Sequence, residues 1–203
     1  VIDHVCNHPA TGVFLGMGLG KTSLTLAVLV TELFDKLTLN KILIIAPKKV
    51  AEATWQEEVE KWDEFKCLRI STVLGTAKER IQALQKEAEV YVINRENVVW
   101  LCQHYKYKLP FDMLVLDEST SFKDSKSKRW KALRKVRTCF KKIVLLTGTP
   151  RPNSLMDLWA QVYLLDGGKR LGRTITEYRN NYFIPDKRNG AVVYSYKLRN
   201  ERA

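Results

Sequence analysis

The chain is poor in the patterns that would place it in a membrane or give it a disulfide or zinc framework. Its four cysteines, Cys6, Cys67, Cys102 and Cys139, are far apart and form no Cys-x-x-Cys pair. Together with only three histidines, His4, His8 and His104, they make no metal-ligand spacing. They read as reduced, mostly buried thiols of an intracellular protein. There is no signal-peptide pattern, no apolar run long enough to cross a bilayer, no internal repeat and no low-complexity segment. The first residue is Val1 rather than Met, and Val1-Ile2-Asp3-His4-Val5-Cys6 reads as the tail of a helix already under way. A piece of a longer protein is therefore expected. Acidic residues are also in short supply, with 22 Asp and Glu against 34 Lys and Arg, a net charge of +12. That excess favours a polyanionic partner, most simply nucleic acid. A basic protein kept soluble by its charge would look the same, so charge alone does not choose.

What is present is an ordinary globular composition, 203 residues with 45% hydrophobic and 28% charged, enough for one large domain. Short β-branched runs at Val13–Leu15, Ile42–Ile45, Leu68–Val73, Val90–Ile93, Met113–Leu116 and Ile143–Leu146 predict strands. Helical patterns lie between them. One starts after the first strand and carries Leu24, Leu26, Val28 and Leu29, apolar nearly all round and so expected to be buried. Another sets Ala51, Trp55, Val59 and Trp62 on one stripe, which assigns both tryptophans to the core. Strand–helix alternation with continuous apolar strands predicts an α/β fold, a mainly parallel sheet with helices on both faces. After Asp166-Gly167-Gly168 the alternation stops. Tyr182–Ile184 and Val192–Tyr196 flank a turn-rich stretch containing Asn189-Gly190, a hairpin signal. The expected division is a main domain over 1–166 and a C-terminal hairpin appendage over 167–203.

The unusual residues follow strand ends. Gly16-Met17-Gly18-Leu19-Gly20-Lys21-Thr22 comes after the first strand. Such a loop aims backbone N–H groups at phosphate oxygens, and the following helix adds its positive end. Lys21 then reaches the β- and γ-phosphates, and the Thr22 hydroxyl ligates Mg²⁺. The position that usually carries the first glycine of this pattern holds Leu15, so Gly16 and Gly18 supply the flexibility. Asp117-Glu118 ends the fifth strand. A carboxylate there can hold Mg²⁺ and its neighbour can position or deprotonate the attacking water. Thr147-Gly148-Thr149-Pro150 ends the sixth and reads as a hydroxyl-bearing link between a nucleotide site and a nucleic-acid surface. Because ligands of open α/β sheets bind at the carboxyl ends of the strands, all of these should share one edge, with Lys21 and Asp117 across a single Mg·ATP. Lys48 and Lys49 after the second strand and Asn94 and Arg95 after the fourth are candidates to touch nucleic acid there. A second basic group, Lys123, Lys126, Lys128, Arg129, Lys131, Arg134, Lys135, Arg137, Lys141 and Lys142, is opposed only by Asp124. It reads equally as a solvated helix face or a nucleic-acid face.

With these residues in hand, the chain resembles the first RecA-like lobe of a superfamily-two helicase, a P-loop NTPase. Within that group it is most similar to the Swi/Snf-type ATPases, especially the short bacterial and phage versions. Met17–Thr22 matches motif I of that family. Ile45-Ala46-Pro47-Lys48 with Trp55 and Trp62 resembles motif Ia, and Asp117-Glu118-Ser119 with Phe122-Lys123-Asp124 resembles motif II. Leu146–Asn153, continuing to Leu158-Trp159, resembles motif III. The resemblance implies ATP hydrolysis coupled to movement along DNA, with double-stranded DNA favoured, in the cytoplasm of a bacterial or phage-infected cell. It also implies a second RecA-like lobe in the same parent protein. There are departures. Leu15-Gly16 stands where the family has an acidic pair, Asp-Glu-Ser-Thr where it has Asp-Glu-x-His, and the adenine-reading Gln segment would lie upstream of Val1. The arginines expected to stabilise the transition state belong to the second lobe, so this stretch alone is expected to turn over ATP very slowly.

Three other functions fit parts of the pattern. A nucleotide-gated DNA clamp without turnover is disfavoured by the intact Asp117-Glu118 pair. A strand-separating helicase shares every motif. A P-loop kinase for a small molecule would need an acceptor pocket or lid, which the sequence does not suggest.

Overall fold

The computed structural model describes residues 1–189 and 192–199. Six strands, β1 (Ala10–Phe14), β2 (Ile42–Ala46), β3 (Ile70–Val73), β4 (Val90–Asn94), β5 (Met113–Asp117) and β6 (Lys142–Thr147), form one sheet. Its order is β1-β6-β5-β2-β4-β3 and every pairing is parallel. The strands match the apolar runs, with two shifts: β3 starts at Ile70 rather than Leu68, and the first strand is displaced toward the N-terminus. The first begins at Ala10 and ends at Phe14, so Leu15 already belongs to the glycine loop.

Both faces of the sheet are covered, which is why its strands carry apolar residues at successive positions. In β2 the side chains alternate. Ile42, Ile44 and Ala46 join a core with α1 (Ile2–Asn7), α2 (Lys21–Val30) and α3 (Trp55–Lys61). Leu43 and Ile45 join the opposite core with α4 (Ala77–Gln85), α5 (Val98–His104), α6 (Lys128–Val136) and α7 (Asp157–Asp166). Removing the side chain of a fully buried residue such as Ile44 costs about 2–5 kcal/mol in transfer energy and cavity. No helix among the described residues is long and apolar enough to cross a membrane.

Several sequence expectations need correction. Trp62 is not core. It follows α3 in extended backbone, is 44% exposed, and donates its indole N–H to Glu58 Oε1 at 3.0 Å. Cys67 is exposed, although Cys102 is buried. The stretch after Asp166 contains a further helix, α8 (Ile175–Tyr182), before the antiparallel pair β7 (Phe183–Asn189) and β8 (Val192–Leu198). Tyr178 of α8 and Phe183 are buried in the same core as α7. Gly190 of the Asn-Gly signal lies outside the described residues.

The basic group around α6 divides in two. Lys142, at the start of β6, is 7% exposed. It donates to the Val5, Cys6 and His8 carbonyls at 2.9, 2.7 and 3.3 Å, closing the C-terminal end of α1. It also forms an ion pair with buried Glu32 at 3.2 Å that stops short of hydrogen-bond geometry. Arg137 donates to the Leu164 and Leu165 carbonyls, Lys141 pairs with Asp112, and Lys123 pairs with Asp157. These cations hold the fold together. Lys126, Lys128, Lys131, Arg134 and Lys135 are exposed.

Candidate active site

The first element of the site is the turn from β1 into α2. Gly18 and Gly20 have φ of 75° and 68°, the left-handed region that side-chain-bearing residues avoid. A Cβ on Gly18 would meet nothing within 4 Å, so backbone conformation rather than space requires glycine there. Gly20 is the N-cap of α2 and supplies no side-chain cap, leaving the first amides of a ten-residue helix facing the loop. Met17 and Leu19 are 89% and 63% exposed, so the loop stands out from the sheet edge. The Lys21 ammonium bends back onto the loop and donates to the Leu15 and Gly16 carbonyls at 3.0 and 2.9 Å.

The second element ends β5. Burial pushes the Asp117 carboxyl up to about 6, and the neighbouring Glu118 charge pushes the same way. Three groups temper the rise: the Glu118 N–H, which donates to Asp117 Oδ1 at 3.0 Å, the Trp55 indole and the Lys21 ammonium. The buried Trp55 Nε1 reaches no full hydrogen bond, so its influence is that of a nearby dipole. Glu118 itself has φ 51° and ψ 59°, a left-handed conformation for a non-glycine residue. Such backbone strain persists only where the surroundings hold it, and it clusters at functional sites.

The third element ends β6, the strand between β1 and β5. Thr147 is fully buried and its Oγ1 accepts the Thr149 N–H at 3.1 Å. Gly148 packs on the glycine loop. A Cβ there would lie 3.4 Å from the Leu15 carbonyl oxygen and 3.6 Å from the Met17 nitrogen. One strand thus separates Lys21's strand from Asp117's, and the loop after that strand touches the glycine loop.

Lys48 and Lys49 are exposed beyond β2, with Lys48 in a solvent-facing pair with Glu52 at 3.7 Å that is worth little. Asn94 pairs with Ala46 in the β2–β4 register, but it is 6% exposed. Its amide donates to Glu96 Oε2 at 2.8 Å and accepts from Asn97 Nδ2. Asn94 therefore organises its own loop, with one amide hydrogen and one oxygen lone pair engaged there and little of the side chain exposed. Arg95 is partly exposed and donates to Glu96 and to Ser121 Oγ, which ties the end of β4 to the turn after Asp117-Glu118.

Sequence reasoning missed Asp157 and Gln161, and gave Ser119 no role of its own. Ser119 Oγ donates to Gln161 Oε1 at 2.7 Å, and both residues are buried. The available signal was a glutamine inside the apolar run Leu158-Trp159-Ala160-Gln161-Val162-Tyr163-Leu164-Leu165, a position where a buried amide needs partners.

The arrangement offers a helix N-terminus without a side-chain cap, one lysine and a half-buried carboxyl beside a second acid. The donor set fits Mg²⁺: a hard carboxylate oxygen from Asp117 and a Thr22 hydroxyl at the helix start. Among the described residues no group of three or more His, Cys, Asp or Glu could hold a metal, so most ligands would come from phosphate oxygens and water.

Comparison with known proteins agrees with this geometry. The model of the SNF2-related domain matches residues 6–190. Protein p41 of the Acyrthosiphon pisum secondary endosymbiont phage 1 is 37% identical over 189 residues, covering 90% of this chain and 41% of its own length. Helicase ssl-1 of Caenorhabditis elegans is 35% identical over 154 residues, covering 73% of this chain and 6% of its own. The Sulfolobus solfataricus SWI2/SNF2 ATPase core, solved in complex with dsDNA, superposes with a TM-score of 0.74 at 23% identity, over 89% of this chain and 37% of that one. The chain thus spans less than half the length of these proteins. From the sheet edge and these matches together, the chain belongs to the SNF2-related family of helicase-like ATPases, and its fold is the RecA-like one of their first lobe.

Proposed function

We propose that this chain is the ATP-binding lobe of a motor that couples ATP hydrolysis to translocation along DNA, double-stranded DNA being favoured. The observation that carries the reading is the meeting of three strand ends. Asp117 lies within the electrostatic reach of Lys21, while Gly148, on the strand between them, touches the loop that carries Lys21.

In this reading the amides of Gly16 to Thr22 cradle the phosphates. Lys21 exchanges the Leu15 and Gly16 carbonyls for β- and γ-phosphate oxygens. Asp117 and Thr22 would hold Mg²⁺, which when bound neutralises charge on the phosphate oxygens. Glu118, fixed in its left-handed conformation, orients the attacking water and takes its proton. Thr147, Gly148 and Thr149 relay the state of the nucleotide, since Gly148 senses the glycine loop directly. Lys48, Lys49, Asn94 and Arg95 lie along the DNA track, where phosphate contacts supply affinity without reading sequence. The dsDNA complex of the Sulfolobus relative supports that choice of partner.

Residues 1–166 make up the lobe, Tyr178 and Phe183 pack into its core, and the chain beyond would lead toward a second RecA-like lobe. Arginines from that lobe would complete the site and are worth roughly 10³–10⁵ in rate. This chain alone is therefore expected to bind ATP weakly and hydrolyse it very slowly.

The test is ATP hydrolysis by the complete protein on single- and double-stranded DNA, with Glu118→Gln as the control. Stimulation by duplex DNA that weakens steeply with salt supports the motor. Nucleotide-dependent DNA binding without hydrolysis would identify a clamp instead, and DNA-independent transfer to a small molecule a kinase. Strand separation would be read directly with a labelled duplex.

A further inference from the structure

We infer that Gln161 is a positioning residue that locks the hydrolytic acidic doublet to the loop leaving β6. This rests on the functional reading above and adds to it a specific internal coupling. Gln161 is 1% exposed and Ser119 is 0% exposed. The Ser119 hydroxyl donates to Gln161 Oε1 at 2.7 Å. From the same amide, Nε2 donates to the Pro150 carbonyl at 2.7 Å and to the Asp157 carbonyl at 2.9 Å. The orientation of the amide is determined by chemistry: turned over, its oxygen would face two carbonyl oxygens and its NH₂ would lose both acceptors.

One side chain thus bridges two motifs separated in sequence. Ser119 directly follows Glu118, whose strained left-handed backbone must be held from both sides. On one side the Glu118 N–H is bound to the Asp117 carboxylate. On the other, Ser119 is anchored by Gln161. Pro150 is the last residue of the Thr147–Pro150 loop, whose Gly148 touches the glycine loop. A shift in that loop therefore pulls on Gln161, and Gln161 pulls on the residue after the water-orienting carboxylate. A second strut runs parallel to the first. The Asp157 carboxylate accepts the Asn153 N–H at 2.9 Å and pairs with Lys123, on the turn after the doublet, at 3.7 Å. The first turns of α7 hold both ends of the coupling. Discrete, packed hydrogen-bond connections of this kind are what transmits a local change between sites.

A purely structural glutamine would affect stability alone, so the test separates stability from turnover. In the complete protein, Gln161→Leu and Ser119→Ala are assayed for DNA-stimulated kcat, for the dissociation constant of a fluorescent ATP analogue, and for thermal midpoint. The inference expects kcat to fall roughly tenfold or more in each while nucleotide affinity changes by less than about twofold, the pattern of an interaction that matters in the transition state. The double variant should be no slower than the slower single one, because both break the same link. Unchanged kcat, or losses that multiply in the double variant, would overturn the inference. If Gln161→Leu does not fold, Ser119→Ala decides, since it removes a single hydroxyl; full turnover in that variant refutes the coupling. A wild-type protein with no DNA-stimulated turnover overturns the functional reading and this inference with it. A wild-type motor with unaffected variants overturns this inference alone.

Discussion

Two carboxylates in this molecule, one buried and one half-buried, sit near a lysine, and they behave oppositely. Burial works against the charge of Glu32, but the Thr38 hydroxyl and Lys142 outweigh it and hold the carboxyl below its usual range. Burial works against Asp117 too, yet there the adjacent Glu118 adds to the penalty and the carboxyl rises to about 6. Lys142 is itself complete, with three carbonyls and Glu32 around it. Lys21 reaches only its own loop's carbonyls and tempers Asp117 from a distance. The same residue types make a finished structural joint in one place and a charge imbalance in the other. An imbalance of that sign is what a bound cation would relieve.

The comparison can be broken most severely at the functional end. Glu118→Gln keeps the shape of the site and removes the proton acceptor. DNA-stimulated turnover in the complete protein should fall about 10²–10⁴-fold, with nucleotide binding retained. Loss of binding in equal measure would mean that Glu118 supports the site's structure instead.

Next come the two lysines. Lys142→Met strips three carbonyls of their donor and leaves buried Glu32 with only the more distant Lys36 at 3.9 Å. It should destabilise the protein by about 3–5 kcal/mol in denaturant unfolding. Lys21→Met should change stability by less than about 1 kcal/mol while abolishing ATP binding. Equal destabilisation by the two variants would end the distinction between joint and site.

The carboxylates themselves give a pH signature. A folded-state value near 6 for Asp117, against about 3.9 in the unfolded chain, means the native state binds the extra proton between those values. Its contribution to stability is therefore greatest at low pH, declines as pH rises from about 4 to about 6, and stays lost above. Asp117→Asn should abolish this dependence and stabilise the Mg²⁺-free protein at pH 7.5 by on the order of 2–3 kcal/mol. Glu32, held low, has the reverse sign: its contribution is present at neutral pH and lost as pH falls through its depressed value. Unfolding curves of Asp117→Asn that keep the wild-type slope between pH 4 and 6 would contradict the assignment.

The smallest effect probes the contact between the β6 exit and the glycine loop. A Cβ at Gly148 would fall at ordinary contact distance from Leu15 and Met17, so Gly148→Ala should bind nucleotide nearly normally. Gly148→Val has no such room and should weaken ATP-analogue binding several-fold. Equal affinity in both would show that the loops do not press on one another.

Much of this fold was legible because the strands of a doubly covered parallel sheet are short uninterrupted apolar runs, and most end in polar or glycine-rich stretches. The misreadings had separate causes. Trp62 fell on the Ala51–Trp55–Val59 stripe, but α3 ends at Lys61 and extended backbone turns its ring outward. Lys142 was one cation in a basic run, and nothing local marked it as the one that closes α1, because its partners lie more than a hundred residues away.

By itself the sequence determined the alternation of strand and helix, the residues that follow each strand, and hence which chemical groups line the carboxyl edge; these are local properties of pattern and turn chemistry. Only the tertiary structure decided the strand order that puts β6 between β1 and β5, the imbalance at Asp117, and the bridge from Ser119 through Gln161 to Pro150. Burial, electrostatic neighbours and buried hydrogen bonds depend on which distant residues come together, and no window along the chain contains them.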